Sequence, residues 1–363
     1  SMTTKKILFV LLNKTSGGAE QYLKMVANYF IGNEISIVFL FDSKTNFWTS
    51  FERHSKQIEI SDRNEMSGIL KFAFKTLFSK SKQYDYIFTS HVFVNALLGF
   101  LVSTGKIKTK YFVARESTSV YLRFSGLKLF IYKIAYKFGY KKMDLLICQT
   151  KLMKNQLLKH FPSIIKRTNV KVIPNPIDLH QIDIISKLNV DKELPYQYIV
   201  SAGRLIKEKG YDILIKSFAT IKKEHPNLKL VILGEGVLRN DLEELISELE
   251  LEADIMLLGF VENVFQYFEK ARLCVVSSRI EGFPNVLLQM MSQNSNVVST
   301  NCAGGIDQIP GLIVCESNDI KSLESALNQG LNDSNNEMNR EIFNKYLNNR
   351  SITNFIKTVN TEL

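Results

Sequence analysis

Apolar positions along this chain fall into two alternating kinds of run. Short unbroken apolar stretches are followed by longer ones with apolar residues at helical spacing, and the pair recurs. Lys5–Leu12 predicts a buried strand and Ala19–Phe30 an amphipathic helix. Further strands are predicted at Ile35–Phe41, Tyr86–Thr89, Lys110–Val113 and Leu145–Cys148, with helical patterns between them. Such alternation predicts a parallel sheet covered on both faces. At Val170–Asp178 the pattern gives way to VKVIPNPID, in which two prolines flank Asn175. Proline continues neither a helix nor a central strand, so this segment reads as a linker.

Beyond it the alternation restarts. Tyr198–Gly203 reads as a strand, Gly210–Lys223 as a helix, Leu228–Gly234 as a strand and Val237–Leu249 as a helix. Strands follow at Ile255–Leu258, Leu273–Val276, Asn296–Ser299 and Leu312–Val314, and Arg340–Val359 is helical in pattern. The expected fold class is therefore α/β, with two Rossmann-like doubly wound domains facing across a cleft. Residues 1–174 form the first, residues 175–345 the second, and 346–363 a terminal helix. Ligands of such sheets bind beyond the carboxyl ends of the strands, which puts the expected site in that cleft.

Composition supports this picture. A chain of 363 residues exceeds one ordinary core and suits two domains. Apolar content of 45%, charged content of 23% and seven prolines describe an ordered globular protein. No internal repeat is visible. Ser1-Met2 reads as an addition ahead of the natural start, and Ile7–Leu12 lacks the length and cleavage site of a signal peptide. The longest mostly apolar run, Val92–Val102, is about 11 residues, short of the roughly 20 that span a bilayer. Cys148, Cys274, Cys302 and Cys315 show no metal-binding spacing and read as reduced, buried thiols, which points to the cytosol.

The net charge of +10 conceals an asymmetry. Residues 1–180 hold 28 Lys and Arg against 11 Asp and Glu, a balance of +17, whereas the remainder carries −7. A lysine-rich codon bias would enrich both halves, so the first half is expected to face an anionic partner. Two of its segments, Met66–Lys82 and Tyr121–Lys142, interleave lysines with aromatic and aliphatic residues, as helices lying on anionic lipid do. Base-stacking motifs, helix-turn-helix patterns and zinc spacings are missing from the sequence, which argues against nucleic acid.

Candidate chemistry concentrates in three loops of the second half. In SAGRLIKEKG a strand ends at Gly203, Arg204 follows, and Lys209-Gly210 open a helix; two cations beside helix amides suit a diphosphate. In ILGEGVLRNDL, Gly234 and Gly236 flank Glu235 and allow close approach of backbone. In SSRIEGFPNVLLQMMS, Glu281-Gly282 precede Phe283-Pro284, which set a new helix. A carboxylate at this start suits a sugar hydroxyl.

Taken in order, GRLIKEKG, LGEG, LLGFVEN and EGFPNVLLQM resemble the family 4 (group 1) retaining glycosyltransferases of the GT-B fold, of the bacterial surface-polysaccharide type. NKTSGGAEQYLKMVANYF is similar to that family's glycine-rich first loop and VIPNPID to its linker, so the resemblance covers nearly the whole chain. It implies that Arg204 and Lys209 hold the donor diphosphate and that Glu281, the first acid of an E-x7-E motif, bonds hydroxyls of the transferred hexose. Backbone at Phe260 and Val261 would receive the base. Gly203, Gly234, Gly236, Gly282, Phe283, Pro284, Asn285 and Val286 would complete the donor pocket, while Gly17 and Gly18 let the first loop approach. The resemblance implies no metal and no cofactor beyond the substrate, a nucleotide diphosphate-sugar expected to be UDP-linked. It also implies that the terminal helix returns to the first domain.

Two departures from the family pattern stand out. The second acid of E-x7-E is Gln289, whose amide can accept a ribose hydroxyl bond only without charge. In VARESTSV, where relatives often carry a histidine, Arg115, Glu116 and Ser117 stand instead. Glu116 is expected to meet the acceptor's proton or hydroxyl and Arg115 a phosphate, unless the two pair to hold a loop. His91 is a second acceptor-side candidate.

The expected activity moves a hexose or N-acetylhexosamine from such a donor to a lipid-diphosphate-linked saccharide in surface polysaccharide, lipopolysaccharide or glycan assembly. The protein would be cytoplasmic and peripherally associated with the inner face of the plasma membrane. Alternatives are a nucleotide-sugar 2-epimerase and a non-catalytic nucleotide-sugar-binding homologue, the latter suggested by Gln289.

Overall fold

A computed structural model describes residues 3–191, 193–333 and 336–363; Ser1 and Met2 lie outside them. The chain divides into two compact units, one formed by Ser1–Pro176 with Ile352–Leu363 and the other by Ile177–Ser351. The following elements are those of the described residues.

The first unit runs β1 (Lys6–Asn13), α1 (Gly18–Tyr29), β2 (Glu34–Phe41), β3 (Lys56–Ser61), α2 (Glu65–Leu77), β4 (Lys82–Thr89) and α3 (Val92–Ser103). It continues through β5 (Ile107–Arg115), α4 (Val120–Arg123), α5 (Gly126–Gly139), β6 (Leu145–Cys148), α6 (Lys151–His160) and β7 (Val170–Val172). Its strands form one parallel sheet in the order β3-β2-β1-β4-β5-β6-β7. Alternate residues of β1 serve two cores. Leu8, Val10 and Leu12 face α2, α3, α5 and α6, while Ile7, Phe9 and Leu11 face α1.

The second unit runs α7 (Leu179–Ser186), β8 (Tyr198–Ala202), α8 (Tyr211–Glu224), β9 (Lys229–Leu233), α9 (Arg239–Glu248), β10 (Ile255–Gly259) and α10 (Val264–Lys270). Then come β11 (Leu273–Val276), α11 (Asn285–Gln293), β12 (Val297–Thr300), β13 (Ile313–Cys315), α12 (Ile320–Asn332) and α13 (Asn336–Asn349). The sheet order is β10-β9-β8-β11-β12-β13, again all parallel. α8, α9 and α12 cover one face and α7, α10, α11 and α13 the other. In each unit the strand order reverses beside the first strand, between β1 and β4 and between β8 and β11. Loops leaving neighbouring strands there diverge to opposite faces and leave a crevice. All four cysteines are buried and unbridged.

The helical pattern over Arg340–Val359 is two helices, not one. α13 ends at Asn349, and α14 (Ile352–Glu362) belongs to the first unit, as the expected return of the terminal helix requires. There Phe355, Ile356 and Val359 join Tyr22, Leu23 and Val26 of α1 in one core, with Phe355 edge-on to Tyr22 at 5.7 Å. Tyr86 bonds Asn360 at 3.1 Å and Asn169 donates to the Glu362 carbonyl at 3.2 Å. Two strands escaped the sequence pattern. β3 and β7 are the outermost strands of their sheet, so their residues are only partly buried and too polar or too short to give an apolar run. No helix among the described residues is long and apolar enough to cross a membrane.

Because Phe355 fills this core at 5% exposure, Phe355→Ala should destabilise the first unit by about 3–5 kcal/mol. Urea unfolding followed by tryptophan fluorescence tests this, since Trp48 lies in the same core.

Candidate functional site

In the second unit, the loops after β8 and β11 meet at the switch point. After β8 the chain passes through Gly203 and Arg204 to a single 3-10 turn, Lys207–Lys209, and Gly210 then starts α8. Gly210 has φ 67, and a Cβ there would stand 2.1 Å from the Ser277 carbonyl oxygen, so only glycine lets these two loops touch. The Ser277 hydroxyl donates back to the Lys209 carbonyl at 2.8 Å. Gly234, with φ 145, packs its Cα against the Gly203 carbonyl, where a Cβ would lie at 2.0 Å. A Cβ on Gly236 would lie 2.5 Å from the Leu205 carbonyl oxygen. The glycines expected to make room for a ligand thus make room for one another's loops.

Lys209 and Glu281 come together. Lys209 Nζ donates to Glu281 Oε1 at 2.6 Å, and the Ser278 hydroxyl donates to the same oxygen at 2.8 Å. The Glu281 amide is fixed on the Cys302 carbonyl at 2.9 Å, and both side chains of the pair are under one-fifth exposed. No bond to Glu281 Oε2 is found among the described residues. Arg204 is exposed and its side chain has no partner among them. Pro284 stands at the N-cap of α11, with Asn285 the first helical residue and Gln289 one turn further on the same side. Gly282, Asn285, Val286 and Gln289 are half-buried, and Phe283 and Pro284 are buried. Phe260, 70% exposed, and half-buried Val261 follow Gly259 at the end of β10.

Arg279 is the group that sequence reasoning missed. Its guanidinium holds Asp212 by two bonds, Nη1 to Oδ1 at 2.9 Å and Nη2 to Oδ2 at 2.6 Å. It also donates to the Lys207 carbonyl at 2.8 Å and to Asn318 Oδ1 at 2.9 Å, while its amide donates to the Glu208 carbonyl at 2.7 Å. Burial pushes the Asp212 carboxyl up, but the bonds and charge of Arg279 outweigh it and hold it below the usual range. This fork ties the turn bearing Lys209 to the loop bearing Glu281. Its signal was present as an arginine two residues before Glu281 and an aspartate in the first turn of a helix, but such charges are ordinarily solvated.

In the first unit, Gly17 caps α1 and Gly18 is its first residue; they follow β1 at that sheet's switch point. His91, after β4, caps α3, its Nδ1 accepting from the Phe93 amide at 3.2 Å. Burial, with Arg123 and Lys128 nearby, lowers its pKa to about 4, so the ring is neutral at neutral pH. Arg115 and Glu116 do not pair; successive strand residues point to opposite faces. Arg115 is 2% exposed, stacks on the Tyr22 ring with its guanidinium carbon 3.9 Å from the centroid, and donates to Ser90 Oγ at 2.9 Å and Asn175 Oδ1 at 3.0 Å. It thereby fixes the linker asparagine.

Glu116 is 1% exposed and accepts from Tyr136 at 2.9 Å and Tyr140 at 2.5 Å. Asn95 donates to the Tyr140 oxygen at 3.0 Å and to the Arg115 carbonyl at 3.1 Å. Where the sequence suggested an acceptor contact, the carboxylate holds α5 to the end of β5. Burial raises its pKa to about 7, against the pull of the two tyrosine bonds. Ser117, half-buried, follows it.

Two outcomes follow from these geometries. Arg279→Lys keeps the charge but loses the fork, so KM for the nucleotide-sugar expected from the sequence should rise and kcat fall by about tenfold or more. Stability should drop by only about 1 kcal/mol, because the pair is partly exposed; steady-state kinetics beside thermal unfolding separate the two effects. Glu116 binds a proton more tightly folded than unfolded, so its contribution to stability is full below the ordinary carboxylate range and is lost as pH rises through about 7. Glu116→Gln should flatten that fall in a series of unfolding midpoints across this window.

Residues 184–348 match the model of group 1 glycosyl transferases and residues 16–181 that of glycosyltransferase family 4. An uncharacterized glycosyltransferase of Methanocaldococcus jannaschii is 32% identical over 66% of this chain, which spans 62% of that relative's length. The N-acetylgalactosamine-N,N'-diacetylbacillosaminyl-diphospho-undecaprenol 4-alpha-N-acetylgalactosaminyltransferase of Campylobacter jejuni is 29% identical over 85% of this chain and 84% of its own. Among solved structures, Anabaena HepE in complex with UDP-glucose shares the fold, with a TM-score of 0.78, 18% identity and coverage of 98% of this chain and 100% of that one. Two family models thus join end to end over nearly the whole length of a chain with two doubly wound units, and the chain belongs to the family 4 (group 1) glycosyltransferases.

Proposed function

We propose that this glycosyltransferase moves a hexose or N-acetylhexosamine from a UDP-sugar to a lipid-diphosphate-linked saccharide, with retention at the anomeric carbon and without a metal ion. The observation that carries the reading is the Lys209–Glu281 pair at the switch point of the second unit. A cation and a carboxylate 2.6 Å apart suit the two parts of a donor that must be gripped together, the phosphates and the sugar. Lys209 faces the diphosphate on this reading, Glu281 Oε2 accepts a sugar hydroxyl, and exposed Arg204 closes on the phosphates.

As the bond from anomeric carbon to diphosphate oxygen breaks, negative charge grows on the leaving group. Fixed cations and helix-start amides stabilise that charge without reorganising. The acceptor oxygen then forms its bond on the face the diphosphate leaves, its proton passing to the departing phosphate oxygen, and no covalent enzyme intermediate forms. Gln289 takes a ribose hydroxyl through its amide oxygen, at lower strength than a carboxylate. Glu116 stays outside the chemistry, both its oxygens being held by tyrosines. The lipid-linked acceptor is supported by the Campylobacter relative, whose name gives a diphospho-undecaprenol-linked saccharide as its substrate. Such an acceptor has the enzyme working against the cytoplasmic face of a membrane, in surface-polysaccharide, lipopolysaccharide or glycan assembly.

The test is transfer from a panel of nucleotide sugars to an undecaprenyl-diphosphate saccharide, with the product anomer assigned by NMR. Lys209→Ala should lower kcat about a hundredfold to a thousandfold, and Glu281→Ala should abolish transfer while the fold persists. An inverted product, an epimerised free donor sugar, or undiminished turnover by Lys209→Ala would each sink the reading.

A further inference from the structure

In the first unit, α3 lies between α2 and α5 and packs against both, making one layer over the sheet. The α3–α5 approach is as close as backbones permit, since a Cβ on Gly99 would stand 1.9 Å from the Gly139 carbonyl oxygen. The inward face of α5 is fixed by Tyr132, Tyr136 and Tyr140, the last two bonded to Glu116. What this rigid layer turns outward is apolar. On and just beyond α2, Leu70, Phe74 and Phe78 recur at one-turn spacing, 63%, 68% and 77% exposed, with the two rings 4.7 Å apart. On α5, Leu127, Phe130 and Phe138 are 75%, 58% and 58% exposed.

Charge surrounds these residues with one sign. Lys71 and Lys75 on α2, and Lys128, Lys133 and Lys137 on α5, are all exposed. From Met66 to Tyr84 and from Ser117 to Met143 the chain has four and six Lys and Arg and no Asp or Glu. The acid nearest α2, Glu65 at its start, is occupied by Asn13 at 2.8 Å.

We infer that the outward face of α2 and α5 is a docking surface for an anionic lipid bilayer, its phenylalanines and leucines entering the acyl boundary and its lysines meeting headgroup phosphates. Monomeric proteins do not ordinarily leave so many large aromatic side chains exposed together. The lysines choose the occupant. A second copy laid on this face would set lysine against lysine, and an apolar protein groove would leave them without counter-charge, whereas an anionic interface takes both residue types at once. The inference gains its purpose from the lipid-linked acceptor proposed above, and so rests on that reading, although its observations are separate.

Co-sedimentation of the full chain with phosphatidylglycerol-containing vesicles tests it. Binding should fall by about tenfold or more with pure phosphatidylcholine vesicles or in high salt. The triple variant Phe74→Ser, Phe78→Ser, Phe130→Ser should lose binding to a like extent while keeping its unfolding midpoint and its turnover of a short-chain, water-soluble diphosphate acceptor. Equal binding by the triple variant and the parent would overturn the inference. So would a parent that ignores the anionic vesicles, or that forms a dimer which the triple variant dissolves. A parent protein that transfers sugar yet does not bind the anionic vesicles counts against this surface alone, and one that binds them without transferring sugar counts against the proposed activity alone.

Discussion

Two neighbouring parallel strands that send their helices to opposite faces of a sheet leave a notch at their carboxyl ends which neither connecting loop can fill. In the second unit that notch lies between β8 and β11, whose helices α8 and α11 cover opposite cores. The proposed chemistry of this chain is built around the constraint. Gly210 and Gly234 bring backbone to within touching distance of backbone, and the Arg279–Asp212 fork then prevents the two loops from drifting apart. Only with both in place do Lys209 and Glu281 meet.

The electrostatics of that meeting favour readiness over stability. A partly exposed ion pair contributes little to folding, and the lysine is held by a partner that a phosphate can share or replace. The strong commitments lie elsewhere. Asp212 is held ionised by its fork, Arg115 lies on an aromatic ring, and Glu116 sits among tyrosines at the cost of a raised pKa. Arg115 and Glu116, both buried, set where β5, α5 and the linker asparagine go, and neither depends on a ligand for its bonds.

Central strands were legible in the sequence because both their faces are buried, which writes an unbroken apolar run; Leu145–Cys148 is recovered to the residue. Edge strands were not. Lys56–Ser61 alternates lysine, glutamine and glutamate with isoleucine, and Val170–Val172 merges into the proline-rich linker. Lys209 and Glu281 were legible because glycine and proline punctuate their loops. Arg279 was not, because what distinguishes it from a solvated arginine is Asp212, which is far away along the chain and near only once the sheet order is known. Arg115 and Glu116 could be picked out as unusual, but the tyrosines that claim Glu116 come from a later helix that periodicity cannot pair with β5.

The return of α14 to the first unit has a consequence for biosynthesis. When residue 176 leaves the ribosome, the core beneath α1 still lacks Phe355, Ile356 and Val359. The whole second unit must be translated before they arrive, a delay on the order of ten seconds or more at ordinary elongation rates. During that interval Tyr22, Leu23 and Val26 of α1 lack the apolar partners that cover them in the finished fold.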